Sequence, residues 1–366
     1  MKVIQVGNTL RIHNNHIKLY DQLPPRAYVV RFQEMAGFML EEYEIGKVQE
    51  KAYGPMPAKV GKILDSFKRF DKSLGTILSG PKGIGKSSFA KLLAEEAVHR
   101  GYPVIVIDSH LEGVHSFLEE IHQEVLVLFD EFEKNFAITR NKEDDPNNAQ
   151  TTFLSLFDGL SHGKKLYVIT CNNIYHLDEY LLNRPGRFHY HLRFSYPGAN
   201  EIEVYMKDRL KKTYHKEINK IIIFSEKVKL NYDCLKAIAY ELNNGDPFEN
   251  IINDLNILNL METRYDVTLY LSNGEIMTDT NNKIDFFSEK PVYLTDFRNS
   301  FGYDSNYRVV FNPTDYEFQR DSGTFVIPAD KVKIYPRRDS EHKEDIGVER
   351  LIIIKSRWEN YNFNLR

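Results

Sequence analysis

The chain has 366 residues, with Lys+Arg 48 against Asp+Glu 52 for a formal net charge of −4, so no global positive field advertises nucleic acid or an anionic membrane. Hydrophobic residues at 42%, charged residues at 27% and aromatics at 13% exclude collagen-like and wholly disordered classes, and the length suits about two or three domains. Cys171 and Cys234 are too few and too far apart for a disulfide framework or a four-ligand zinc site, the N-terminus lacks a signal-peptide pattern, and no apolar run reaches the ~18 residues that span a bilayer; a soluble, cytoplasmic protein is expected.

Residues 1–48 alternate short apolar stretches (Val3 to Val6, Ile17 to Tyr20, Tyr28 to Phe32, Phe38 to Tyr43) with Pro24-Pro25 and Ala36-Gly37, which predicts a small β-rich N-terminal element. Helical spacing follows in Val60, Ile63, Leu64, Phe67 and Phe70. From residue 76 to 198, apolar runs at Thr76 to Leu78, Val104 to Ile107, Val125 to Phe129, Leu166 to Thr170 and Tyr190 to Phe194 alternate with helix-like segments. That alternation predicts an α/β domain over 49–198 with a mostly parallel, covered sheet. Residues 199–262 read as a helical subdomain; within it, Asp246, Pro247 and Glu249 predict a helix start with Asp246 as N-cap, Pro247 as first helical residue and Glu249 closing a capping box. Residues 263–366 read as a β-rich C-terminal domain, with a hairpin at Ser272-Asn273-Gly274-Glu275 and a charge-dense loop from Arg337 to Arg350.

The strongest chemical signal is Gly80-Pro81-Lys82-Gly83-Ile84-Gly85-Lys86-Ser87, a G-x-x-x-x-G-K-S run after a strand and before a helical pattern, continued by Ser88. Glycines at these positions let backbone N–H groups turn inward around phosphate at a helix N-terminus; Lys86 reaches the outer phosphates and the Ser87 hydroxyl ligates Mg²⁺. A chance match in a chain of this length is about 1 in 100 on average residue frequencies. The apolar run Val125 to Phe129 ends in Asp130-Glu131, where the first carboxylate would organise the magnesium shell and the second would polarise a water. The next apolar run ends in Thr170-Cys171-Asn172-Asn173; if its strand lies between the two earlier ones, Asn172 emerges at the carboxyl edge of the sheet, where ligands bind. Arg184-Pro185-Gly186-Arg187-Phe188 then places two guanidinium groups around a Pro-Gly turn, suited to γ-phosphate or to an ordinary surface.

In this order, GPKGIGKS, VLVLFDE, TCNN and NRPGRF resemble the AAA+ ATPases, and Asn172 to Arg187 resembles the second region of homology of the classical AAA clade. The resemblance covers about residues 50 to 262. It implies a P-loop NTPase sheet with a helical lid, ATP and Mg²⁺ as cofactors, and a homo-oligomeric ring, typically a hexamer. By it, Asn172 corresponds to the sensor 1 residue, Arg184 and Arg187 match arginine fingers that reach a neighbouring subunit, Thr151 to Gly159 resembles the helix that ends in Asp-Gly before the sensor strand, and Tyr53-Gly54 sits at the adenine-contacting turn. Catalytic roles fall on Glu131, Asn172, Arg184 and Arg187, and nucleotide binding on Gly80 to Ser88 with Asp130. Two departures stand out: His189 replaces the usual Asp after the turn, and Ser109 to Glu124 lacks the aromatic-hydrophobic pair of threading pore loops.

Remaining candidates are plainer. His189 and His191 alternate along a predicted strand, as two metal ligands or two ordinary strand residues would, and the aromatic C-terminal region would stack bases or simply fill strands. The leading expectation is therefore a Mg-dependent ATPase that remodels a protein or protein complex, with a DNA loader-type ATPase and a nucleotide-gated scaffold as the alternatives.

Overall fold

The computed structural model describes residues 2–6, 8–13, 17–45, 56–137, 150–158, 163–182, 186–257, 263–299, 301–304, 307–336 and 347–356, and the chain divides into two compact units, Met1–Ser195 and Tyr196–Arg366. Tyr53-Gly54, Arg184 and the charged stretch 337–346 lie outside the described residues.

The first unit begins with β1 (Lys2–Val6), paired antiparallel with β2 (Thr9–His13), and a hairpin of β3 (Ala27–Gln33) and β4 (Gly37–Glu42). Ile17 to Tyr20, apolar enough to suggest a strand, forms no regular element. Helix α1 (Met56–Arg69) follows, then β5 (Leu74–Ser79), α2 (Lys86–His99), β6 (Val104–Ile107), α3 (Val114–Glu119), β7 (Val125–Phe129), the short α4 (Phe132–Asn135) and α5 (Leu154–Phe157), β8 (Lys165–Cys171), α6 (Glu179–Leu182) and β9 (Phe188–Arg193). One seven-stranded sheet results, in the order β4-β3-β6-β7-β8-β5-β9. All its neighbours are parallel except β3 and β4.

Strands β5, β6, β7 and β8 are buried along their whole length, as a parallel sheet covered on both faces requires. One face packs on α1 and α2 through Val60, Leu64, Phe67, Phe89 and Leu93. The other carries an aromatic cluster in which Phe129 meets Phe132, Phe136, Phe153 and Phe157 edge to face, with ring centroids 5.3 to 6.0 Å apart.

The N-terminal region differs from the separate element the sequence suggests. β3 pairs in parallel with β6, Ala27 opposite Val104, so this hairpin extends the α/β sheet. Without it the wholly buried β6 would be an open edge, and the partner that closes it lies 77 residues upstream (Ala27 to Val104), beyond any local pattern.

The second unit holds α7 (Ala199–Arg209), α8 (Ile218–Lys227), α9 (Tyr232–Asn244) and α10 (Phe248–Asp254), then β10 (Arg264–Leu271), β11 (Ile276–Lys283), β12 (Val292–Leu294), β13 (Arg298–Asn299), β14 (Tyr307–Phe311), β15 (Glu317–Gln319), β16 (Thr324–Pro328), β17 (Val332–Pro336) and β18 (Val348–Lys355). The strands form an antiparallel six-stranded sheet, β13-β11-β10-β18-β16-β15, and a three-stranded one, β12-β14-β17. The predicted Asn-Gly hairpin joins β10 to β11, with Gly274 at φ +85.

The capping box at residues 246–249 is not formed. Pro247, at ψ 142, is the extended N-cap of α10, and no side chain among the described residues caps that helix; Gly245, at φ +104, closes α9 instead. With α9 ending so close upstream, the chain uses its turn residues to stop one helix rather than to start the next. Glu249 pairs with Lys220 at 2.9 Å.

The helices and strands of this unit are fastened at the C-terminus of α8. Lys355 Nζ donates to Ser225 O at 2.7 Å and lies 3.2 Å from a Glu226 carboxylate oxygen, and the Tyr265 hydroxyl donates to Glu226 O at 3.1 Å. A cation on the last carbonyls of a helix also opposes its dipole. Lys227 extends over the Tyr316 ring, 4.7 Å from its centroid.

Candidate active site

Register brings the predicted motifs together. β8 lies between β5 and β7, with Ser79 opposite Cys171 and Phe129 opposite Ile169, so Gly80, Asn172 and Asp130 leave the sheet on adjacent strands at one edge.

Residues 80–85 turn from β5 into α2. Gly80 is at φ +143, and a Cβ there would lie 2.2 Å from Phe194 O and 2.7 Å from Ile84 Cδ1; Gly85, at φ +93, is the left-handed N-cap of α2. Neither position admits a side chain without strain. No side chain among the described residues caps α2, so its first N–H groups are left for the loop, the arrangement that receives an anion. Ser87 and Ser88 sit exposed in the first turn of α2, Lys82 is exposed on the loop, and Ile84 is buried beneath it.

Lys86 is buried. Its Nζ donates to Gly80 O and Pro81 O, each at 2.6 Å, and to Asn172 Oδ1 at 3.0 Å. Burial pushes the ammonium below its ordinary pKa, while Cys171, Glu133, Asp130 and Glu131 act in the opposite sense. The buried Cys171 thiol is pushed up to about 12, mainly by burial, and is inert.

Asp130 and Glu131 are set by Thr170, whose place in the apolar run of β8 gives no local sign of this role. The Thr170 hydroxyl donates to Asp130 Oδ1 at 2.7 Å and accepts from Glu131 N–H at 2.8 Å. Glu131 itself is in the left-handed region, φ 47 and ψ 49, an uncommon conformation for a side-chain-bearing residue. Its carboxylate is paired with Lys134, one helical turn on, and lies 3.4 Å from Asn172 Nδ2. The Lys134 hydrogen bond, opposed by burial and helped by Asn172, holds the Glu131 carboxyl below its usual range.

Other predicted residues find different surroundings. Arg187 is buried, 6% exposed, with its guanidinium forked onto Asp158 (Nη2 to Oδ2 at 2.6 Å) and Nη1 donating to Tyr180 O at 2.8 Å. That bidentate pair lies within its own unit. His189 and His191 do not act together: a register shift puts Gly75 opposite Phe188 and Thr76 opposite Tyr190, leaving His189 as the extra residue, its ring on Phe70, while His191 Nε2 lies 2.7 Å from Ser79 Oγ. Burial, with Arg193 adding, lowers His191 to about 4. Among the described residues, no group of three or more His, Cys, Asp or Glu is placed to hold a metal ion.

A loop of glycines at positive φ running into an uncapped helix start, a buried ammonium beside it and two carboxylates across the strand edge have the chemistry of a nucleotide-phosphate site. Residues 76–196 match the family model described as ATPase family associated with various cellular activities (AAA). Those residues form a domain of the AAA ATPase family.

The chain is also similar to parts of curated proteins. It is 27% identical over 190 residues to ATPase family gene 2 protein of Schizosaccharomyces pombe, covering 48% of this chain and 22% of that protein. It is 30% identical over 187 residues to Tat-binding homolog 7 of Caenorhabditis briggsae, covering 47% and 14%. With ATP-dependent zinc metalloprotease FtsH 1 of Thermoanaerobacter sp. it shares 29% identity over 195 residues, covering 49% and 30%. The chain thus spans less than a third of each of these relatives. No helix among the described residues is long and apolar enough to cross a membrane.

Proposed function

We propose that this AAA protein is a Mg-dependent ATPase of the classical AAA kind, acting as a ring oligomer to remodel a protein or protein complex. The observation that carries the reading is the convergence of Lys86, at the start of α2, with Asp130, Glu131 and Asn172, at the ends of β7 and β8, beside the loop of residues 80–85. Bound Mg-ATP would supply the γ-phosphoryl group and the cation that neutralises its oxygens.

The side chains divide the remaining tasks. Lys86, now held by two loop carbonyls, exchanges them for phosphate oxygens. Ser87 and Asp130 would hold the cation, and Thr170 keeps the Asp130 carboxylate from turning away. Glu131 takes the proton of an attacking water that Asn172 orients. Lys134 must release Glu131 for this to happen, which makes the observed pair a resting arrangement. By the resemblance Arg184 would reach the neighbouring subunit's nucleotide, while Arg187, bound to Asp158, braces the chain just before β9. The domain's similarity to a Tat-binding homolog and to an ATP-dependent protease supports a protein client.

Phosphate release with Mg-ATP, repeated with the cation chelated, tests the proposal. Turnover that disappears on chelation and rises per subunit with protein concentration is the expected result; turnover by a demonstrated monomer contradicts the ring.

A further inference from the structure

Glu133 is a buried carboxylate to which the scheme above gives no part. It lies in α4, two residues after Glu131, and is 7% exposed. Its Oε1 accepts twice from Asn172, from the backbone N–H at 2.7 Å and from Nδ2 at 2.9 Å. Its Oε2 is buried and has no hydrogen-bond partner among the described residues. A buried carboxylate oxygen without a partner costs stability that an apolar side chain of the same volume would not. The explanation for an acid at this position lies in what Oε1 does.

A carboxylate accepts hydrogen bonds and an ammonium only donates them, so each fixes one end of a neighbouring amide. Asn172 stands between the two kinds. Its Oδ1 accepts from Lys86 Nζ at 3.0 Å, and its Nδ2 faces Glu133 at 2.9 Å and Glu131 at 3.4 Å. Turning the amide over would set oxygen against two carboxylates and NH₂ against an ammonium. Lys86 and Glu131 would both be drawn toward substrate in the working site, which leaves Glu133, with its second bond to the Asn172 backbone, as the contact that persists.

We infer that Glu133 is a positioning residue for ATP hydrolysis: through Oε1 it holds the Asn172 amide with its donor toward Glu131, where a water can accept from Nδ2 and donate to the Glu131 carboxylate. This rests on the hydrolytic reading above. Glu133 makes no contact with the reacting atoms; it acts through Asn172.

Glu133→Gln keeps a carbonyl acceptor for Asn172, while Glu133→Met removes it at similar volume. Glu133→Ala is carried in parallel, and each variant's turnover is normalised to its nucleotide-binding fraction, so that loss of folding is not counted as loss of rate. The Gln variant is expected within about threefold of wild-type kcat, and the Met and Ala variants about 10- to 100-fold lower, with KM for ATP within about threefold throughout. In an Asn172→Ala background, Glu133→Met is expected to cost less than about twofold more. An unchanged kcat in Met and Ala, a Gln variant as slow as Met, or a full additional loss in the Asn172→Ala background overturns the inference. Wild-type protein that releases no phosphate overturns the hydrolytic reading and this inference with it; active wild-type protein indifferent to Glu133→Met overturns this inference alone.

Discussion

Glu131 and Lys134, three residues apart, form an ion pair between the side chain assigned to activate water and a lysine on the first turn of α4. The pair holds the Glu131 carboxyl below its usual range, so the base stays charged to lower pH than a free glutamate would. In Lys134→Met that support is gone and the carboxyl rises. The acid limb of the kcat profile should therefore move to higher pH, with turnover on the alkaline plateau equal to or above wild type. An acid limb that stays put or moves down would separate Lys134 from the base.

Thr170 ties Asp130 to the Glu131 backbone. Thr170→Val keeps the shape and removes both hydrogen bonds, 2.7 and 2.8 Å. The expected outcome is about a tenfold rise in the Mg²⁺ concentration for half-maximal turnover, with a stability loss of about 1 kcal/mol. A magnesium dependence identical to wild type would remove Thr170 from the metal's support.

Both residues illustrate what was legible in the sequence. The run from Gly80 to Ser87 is legible because its chemistry is backbone geometry within one turn, and glycine spacing records that geometry directly. Asp130 and Asn172 are legible because each is the first polar residue after an apolar strand. Thr170 and Glu133 are not. Their importance comes from β8 lying beside β7, a pairing between residues about 40 positions apart that leaves no local period. The N-terminal hairpin was hidden for the same reason, since β3 joins the sheet by parallel pairing with β6. Arg187 shows the reverse case: its motif suggests an exposed finger, while Asp158, itself picked out only as the end of a helix, holds it inside the domain.

The pair of buried Arg187 and partly exposed Asp158 should behave as structure. Arg187→Ala leaves a carboxylate short of its partner and Asp158→Asn leaves a buried guanidinium with a weaker one, each expected to lower stability by about 1–2 kcal/mol, with the double variant no worse than the more damaging single. Thermal melts of the three proteins decide this. Additive losses, or an Arg187→Ala protein as stable as wild type, contradict the bracing role.

His191 makes folding pH-dependent in a defined window. Its folded value, about 4, lies below the ordinary 6.5, so the folded state favours the neutral ring. The associated stability is fully present above pH 6.5 and is lost as pH falls from there toward 4. Replacing the ring, as in His191→Phe, removes this contribution, and the difference between wild-type and variant melting temperatures should shrink across that window. A difference constant from pH 7.5 to 4 would show that the ring's protonation is not coupled to folding.

The most direct test of the account compares ATP affinity and turnover in Lys86→Ala and Glu131→Gln. Lys86 is assigned to phosphate and Glu131 to water, so the first variant should lose ATP binding, while the second should bind Mg-ATP as tightly as wild type and release no phosphate above background. Equal loss of ATP affinity in both, or undiminished turnover in Glu131→Gln, would contradict the assignment of binding and chemistry to separate strand ends of this sheet.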